Sequence, residues 1–145
     1  MKIKLICIGK KNSKSFNSEI NKYINRINSF VNFSIINFNN SKLLNKKIKN
    51  LKKNEELVFL LDEKGNEYNT LDFSNFIEKK NNSGLSNLTF IIGDHSGFPQ
   101  LIIDSFKNKI SLSKMTFSHQ MIRLFFCEQL YRAITIINNH PYHND

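Results

Sequence analysis

The sequence predicts an α/β domain with a mostly parallel sheet and helices on both faces, and three observations carry that expectation. Short apolar runs recur along the chain, "IKLICIG", "ELVFLLD" and "NLTFIIG" among them. They are apolar at successive positions, as strands buried on both faces are, and lack the alternation of half-exposed antiparallel strands. Amphipathic helical stretches alternate with them, the order that lays crossover helices over a parallel sheet. A length of 145 residues fits one domain, 1–145, and a chain of that size buries about 69% of the surface it exposes unfolded.

Each element has its own signal. "IKLICIG" is a buried strand closed by Gly9. From Ser13 to about Phe30, Phe16, Ile20, Tyr23, Ile24 and Ile27 recur at helical spacing. "VNFSIINF" alternates as a strand, residues 41–53 form a basic helix, and "ELVFLLD" is a strand ending at Asp62. "EKGNEYNT" reads as a turn, and "LDFSNFIEKK" as a helix with Thr70 as its N-cap. "NLTFIIG" is a strand, "DHSGFP" a loop, and "QLIIDSF" a short helix with Pro99 near its first turn. "KISLS" is the last strand, and Ser118 caps a final helix that runs to about Ile137. That helix is apolar on two sides: Ile122, Phe125, Phe126, Ala133, Ile134 and Ile137 on one, Met121, Leu124, Cys127 and Tyr131 on the other. One core covers one side, so a second subunit is expected on the other, in a symmetric dimer.

Composition narrows the function. Cys7 and Cys127 match no ligand spacing and read as core residues of a reducing compartment, with neither a disulfide nor a metal site. The opening "MKIKLICIGKK" has too short an apolar run for a signal peptide, and a cytoplasmic protein with no membrane partner is expected. The charge is uneven: residues 1–54 hold 13 Lys and Arg against the single acid Glu19, within a net charge of +9. That asymmetry fits a landing surface for a polyanion; it also fits a solvated face in a lysine-rich sequence.

Three strand ends break into small or polar loops, "LLDEKG", "IIGDHSG" and "SLSKMTFSH", and open α/β sheets bind ligands at the carboxyl ends of their strands. Neither a dinucleotide fingerprint nor a phosphate loop with its lysine is present. On the final helix, His119 and Arg123 are four residues apart, as are Glu128 and Arg132. Charges on so apolar a helix call for a specific reason. The chain then closes "NNHPYHND", with two histidines, a proline and a tyrosine where a polar tail is usual.

The closing segment "MTFSHQMIRLFFCEQLYRAITIINNHPYHND" resembles the C-terminus of RlmH-type ribosomal RNA pseudouridine methyltransferases of the SPOUT superfamily. In that family a T-x-P-H-x-x-x-R segment precedes E-Q-x-Y-R-A and a terminal H-P-Y-H. The match falls at Thr116, His119, Arg123, Glu128, Gln129, Tyr131, Arg132, Ala133 and His140 to His143. It is dense over residues 58–145 and rests on pattern and the "KIKLICIGK" start before that.

The resemblance implies a C-terminal trefoil knot, an exception to the usual topology rules. It also implies S-adenosylmethionine as methyl donor and a homodimer without metal. The substrate would be N3 of a pseudouridine in 23S ribosomal RNA, on assembled ribosomes. Carried over residue by residue, it puts the cofactor on Leu61, Gly93, Leu112, Ser113, Lys114, Met115, Thr116 and Phe117. Glu128, Arg132, His119, Tyr142 and His143 become the catalytic candidates, and Arg123 and His140 the RNA contacts. Glu128, His119 and His143 are all open as proton acceptor, and Tyr142 is expected to stack on the target base or hydrogen-bond it.

The sequence departs from the family at two places. Asp94-His95-Ser96 stands between Gly93 and Gly97, where the family has G-P-E, and Asp94 is expected beside the cofactor; Ser118 replaces a proline. The competing reading is a non-catalytic ribosome-binding or rRNA-binding protein that kept the basic half and the tail without binding S-adenosylmethionine.

Overall fold

The computed structural model describes residues 1–53 and 57–144. Ten elements alternate through them. The strands are β1 (Lys2–Ile8), β2 (Asn32–Phe38), β3 (Leu57–Glu67), β4 (Asn87–Ile92) and β5 (Lys109–Ser111). The helices are α1 (Lys14–Asn28), α2 (Ser41–Lys53), α3 (Thr70–Asn82), α4 (Gln100–Ser105) and α5 (His119–Ile137). Glu56, at the start of the "ELVFLLD" run, and Asp145, the last residue of the tail, lie outside the described residues.

The five strands form one sheet in the order β2-β1-β4-β3-β5, and every pairing between them is parallel. Their apolar character on both faces has the expected cause. In β1, Ile3, Leu5 and Cys7 join one buried cluster while Ile6 and Ile8 join the other. The first cluster is closed by α1, α3 and α5 through Ile20, Ile27, Phe73, Ile77, Phe126 and Leu130. The second is closed by α2 and α4 through Leu44, Ile48, Leu51 and Ile102.

Two local readings are corrected. "EKGNEYNT" is not a turn: β3 runs on to Glu67, shifts register after Leu61, and pairs Asn66 with Ile110 and Glu67 with Ser111. Gly65 permits that crossing, since a Cβ there would fall 2.7 Å from the Ile110 backbone. The N-cap of α3 is Asn69, whose side chain accepts from Asp72 N–H at 2.8 Å, and not Thr70. Thr70 instead points its hydroxyl at Gln129 Oε1, 3.2 Å away.

The connections decide where crevices open. β1 and β3 are each followed by a helix on the first face, α1 and α3, whereas β4 is followed by α4 on the second. β4 lies between β1 and β3, so its chain leaves to the opposite side from both neighbours. Loops that diverge in this way leave a crevice outside the carboxyl ends of the strands. β2, followed by α2 on the second face, diverges from β1 in the same way, so the sheet has three such places, one on each side of β4 and one between β2 and β1.

Candidate active site

The helix α5 is the spine of the site. Ser118 caps it as expected, accepting from Met121 N–H. His119 and Glu128 are nine residues apart, and at 3.6 residues per turn that is about half a turn out of phase. The two charged pairs read from the sequence therefore lie on opposite sides of α5 and serve different places.

Glu128 is the hub of one side. Its Oε1 accepts from Arg132 Nε at 2.9 Å and Nη2 at 2.7 Å, and from the Tyr142 hydroxyl at 3.3 Å. Its Oε2 accepts from Gln129 Nε2 at 2.7 Å. The hydrogen bond to Glu128 is also the first cause that raises the Arg132 pKa, fixing the guanidinium as a cation. Arg132 Nη1 lies 3.2 Å from His143 Nδ1. A guanidinium only donates, so Nδ1 accepts, and a neutral His143 ring carries its proton on Nε2.

The tail is folded back onto its own protomer. Asn139 turns the chain at a φ of +53°, and His140 N–H reaches the Thr135 carbonyl at 2.8 Å. The Tyr142 ring then lies 4.6 Å from the Tyr131 ring and 4.8 Å from the Arg132 guanidinium. Tyr131 in turn meets Tyr23 of α1 at 6.0 Å, and Arg26 lies over both of those rings. Burial, then a hydrogen bond with Tyr23, raise the Tyr142 pKa, so the phenol is a donor at neutral pH. Tyr142, expected to stack on the target base or hydrogen-bond it, is thus half-buried against Tyr131 and Arg132 within the protomer. His140 stays exposed, edge-on to Phe30 at 6.1 Å.

Beside Glu128 lies a cavity of about 470 Å³, walled by Tyr68, Phe73, Leu112, Ser113, Phe117 and Gln129 among others. Leu61 pairs with Ile92 on one side and Ile110 on the other, so the register shift in β3 lies beside Gly93 and Leu112, the residues that follow β4 and β5. Of the cofactor candidates, Leu112, Ser113 and Phe117 line the cavity, and Leu61 and Gly93 do not. The 112–117 loop is pinned from outside: Thr116 donates to Glu63 Oε2 at 2.6 Å, Lys114 pairs with Glu67 at 3.6 Å, and Met115 is exposed. Gly93 packs against its own turn, where a Cβ would meet the Gly97 carbonyl oxygen at 2.7 Å. Asp94 is turned away from this cavity, onto Ser96 N–H at 2.9 Å and Ser96 Oγ at 2.6 Å, and does not crowd it.

His119 and Arg123 belong to the other side. Arg123 is fully buried, with Nη1 donating to the Lys10 carbonyl and Asn12 Oδ1, both at 2.8 Å, and Nη2 to the Ile8 carbonyl at 3.1 Å. It ties down the chain after β1 and presents no group to RNA, which corrects its expected role. His119 is equally separate from Glu128: it lines a second crevice with Asp94, His95 and Lys10. Burial is the first cause that lowers its pKa, followed by the positive charge of Arg123.

Sequence reading missed Tyr23, Arg26 and Glu63. Tyr23 and Arg26 are three residues apart on α1 and look like an ordinary helix face; Glu63 was hidden by reading its strand as a turn. Gln129 was matched to the family, but its contacts with Glu128 and Thr70 needed the fold.

A model described as "Predicted SPOUT methyltransferase" matches residues 1–143. The chain belongs to the SPOUT methyltransferase family. Proteins named "Ribosomal RNA large subunit methyltransferase H" are similar along their whole length. That of Christiangramia forsetii is 42% identical, covering 99% of both chains, and that of Phocaeicola vulgatus is 43% identical, covering 100% of both. Among solved structures, the SpoU methyltransferase AviRb from Streptomyces viridochromogenes, in complex with AdoMet, superposes with a TM-score of 0.53 at 8% identity. It shares the fold over 96% of this chain and 61% of its own. The family and fold class expected from the closing motif are thus the ones found. Among the described residues no group of three or more His, Cys, Asp or Glu is placed to hold a metal, and no helix is long and apolar enough to cross a membrane.

Proposed function

We propose that this SPOUT methyltransferase transfers a methyl group from S-adenosylmethionine to N3 of a pseudouridine in 23S ribosomal RNA, acting on assembled ribosomes in the cytoplasm. The reading is carried by one juxtaposition: the Glu128–Arg132–Tyr142–His143 cluster adjoins a cavity whose other wall is the 111–113 chain after β5. The full-length relatives named as large-subunit methyltransferases support the RNA substrate.

The cavity fits the donor. About 470 Å³ lies within the range of small-ligand sites, and aromatic walls, a run of backbone and one carboxylate suit a purine beside a sulfonium. Of the expected contacts, Leu112, Ser113 and Phe117 would hold it, and bound there it supplies an electrophilic methyl group. The rest is the work of this chain. N3 must lose its proton, leaving negative charge on the ring carbonyls. Arg132 has five donors, of which three are engaged by Glu128 and His143. The other two are available to stabilise that charge in a partly dehydrated site. Glu128 is the proton acceptor: its longest contact, 3.3 Å to the Tyr142 hydroxyl, is the one a substrate N–H can displace. His143 holds Arg132 in place, and His140 meets phosphate.

The same reading includes a single domain over 1–145, the family's trefoil knot and a homodimer. The knot is supported by the path from β4 across β3 to β5 and back into α5, which packs against α1 and α3. The dimer is supported by the exposed apolar stripe Phe117, Met121 and Phe125, on the side of α5 left uncovered. Incubating the protein with labelled S-adenosylmethionine and ribosomes lacking the modification tests the reaction: label on one pseudouridine supports it, and no label on bound ribosomes contradicts it.

A further inference from the structure

The second crevice, about 390 Å³, opens outside the carboxyl ends of β1 and β4, with the end of β2 and the start of α2 as its further wall. Its floor is apolar, from Ile8, Phe38, Leu44 and Pro99, and its rim is polar, from Lys10, Asn39, Asn40, Ser41, Asp94, His95 and His119. The reaction proposed above uses none of these groups except as neighbours. An apolar floor under a ring of donors and acceptors is the form of a site for a flat heterocycle.

The charge around it selects the ligand. Asp94 is the one carboxylate among the lining residues, and it is satisfied by Ser96 within its own turn. Lys10 and His95 are exposed at the rim. From the same rim runs α2, whose exposed Lys42, Lys46, Lys49 and Lys53 recur at spacings of four, three and four. Those spacings form one stripe on the side opposite the buried Leu44, Ile48 and Leu51. A cationic track leading into an apolar-floored pocket suits single-stranded RNA, whose bases are splayed out and stacked on aromatic side chains while its phosphates meet cations.

We propose that the crevice outside the ends of β1 and β4 binds one extruded nucleotide of the RNA substrate, its base on Phe38 and Pro99 and its phosphate on Lys10 and His95, with the flanking strand along the α2 lysines. His119, depressed in pKa chiefly by burial, is neutral at pH 7 and offers the base edge a hydrogen bond and no charge. The nine residues from His119 to Glu128 span about 13.5 Å of helix. The crevice therefore reads a nucleotide other than the one methylated, and so adds to specificity. The inference rests on the RNA substrate proposed above.

The test uses two variants and unmodified ribosomes. The double variant K10A/H95A removes the phosphate contacts; S41W keeps the charges and fills the crevice from its rim. Both are expected to bind ribosomes at least tenfold more weakly, raise KM and leave kcat at saturation and S-adenosylmethionine affinity unchanged. K10A/H95A alone should also reduce the slope of log affinity against log salt, by about 1 for the lost lysine contact. Unchanged ribosome affinity in S41W, whether or not the double variant is weakened, would overturn the crevice and leave only a charged surface. Wild-type protein that binds ribosomes without methylating them would sink the proposed reaction while the binding comparison still decides the crevice. Wild-type protein that binds no ribosome would overturn both.

Discussion

Arg132 gives two donors to a single oxygen of Glu128, Nε at 2.9 Å and Nη2 at 2.7 Å, and covers the Tyr142 ring at 4.8 Å. A residue from the middle of α5 and one from the last four of the chain are thereby held in one geometry. The tail that the sequence left as a question is folded back onto the middle of α5.

The Glu128→Gln and Arg132→Lys variants each break that geometry without changing side-chain size much. Lysine cannot reproduce the planar fork. Both should lose methyl transfer by at least a hundredfold and stability by about 1.5–3 kcal/mol, the range for hydrogen bonds to charged groups. Kinetics and urea denaturation check this; full activity in Glu128→Gln would remove Glu128 as the proton acceptor.

Deleting residues 140–145 should abolish transfer while S-adenosylmethionine binding, followed by calorimetry, stays within about twofold. The cofactor candidates at 112–117 are pinned by Glu63 and Glu67 and not by the tail. A milder variant, Tyr23→Phe, removes a hydrogen-bond partner of Tyr142. It should lower kcat with KM unchanged, because it loosens the tail without touching substrate. Loss of cofactor binding in the truncation would make the tail structural.

Arg123→Leu should be a folding defect. Removing a fully buried guanidinium leaves two backbone carbonyls and the Asn12 side chain short of a donor. A loss of about 3 kcal/mol follows, or about 10 °C in Tm for a domain of this size. The salt dependence of ribosome binding should not change. A lower slope with normal stability would restore Arg123 as an RNA contact.

How much of this was legible in the sequence depends on distance along the chain. The alternation of apolar strands and amphipathic helices is enough to give a two-faced parallel sheet. β3 beyond Asp62 was misread because "EKGNE" has turn chemistry, and its pairing with β5 depends on Ile110, over forty residues on. In the site, the Glu128–Arg132 spacing is local and was visible. That His119 and Arg123 face the other way follows from helical phase alone and could have been drawn from the sequence. The burial of Arg123 against residues 8–12 could not, because it depends on where β1 ends relative to α5. Tyr23 and Arg26 became visible only once α1 was seen packed against α5.

His119 also predicts a pH dependence. Its folded pKa lies below the ordinary 6.5, through burial first and then the cations Arg123, His95 and Lys10, opposed by Asp94. The unfolded chain therefore takes up a proton that the folded chain resists. Stability from this group is fully present above about pH 6.5 and falls as the pH drops from there through the folded value. Denaturation midpoints between pH 7.5 and 5 should decline less in His119→Gln than in wild type. Parallel curves would mean that His119 titrates normally.

On the proposed reaction, the cluster around Glu128 and the adjoining cavity together methylate one base. The most direct measurement is transfer of labelled methyl from S-adenosylmethionine to ribosomes lacking the modification, with the product mapped by mass spectrometry. Label is expected on N3 of a single pseudouridine of 23S ribosomal RNA, lost in Glu128→Gln. Tight ribosome binding with no label would contradict it and leave a ribosome-binding protein that has kept the fold.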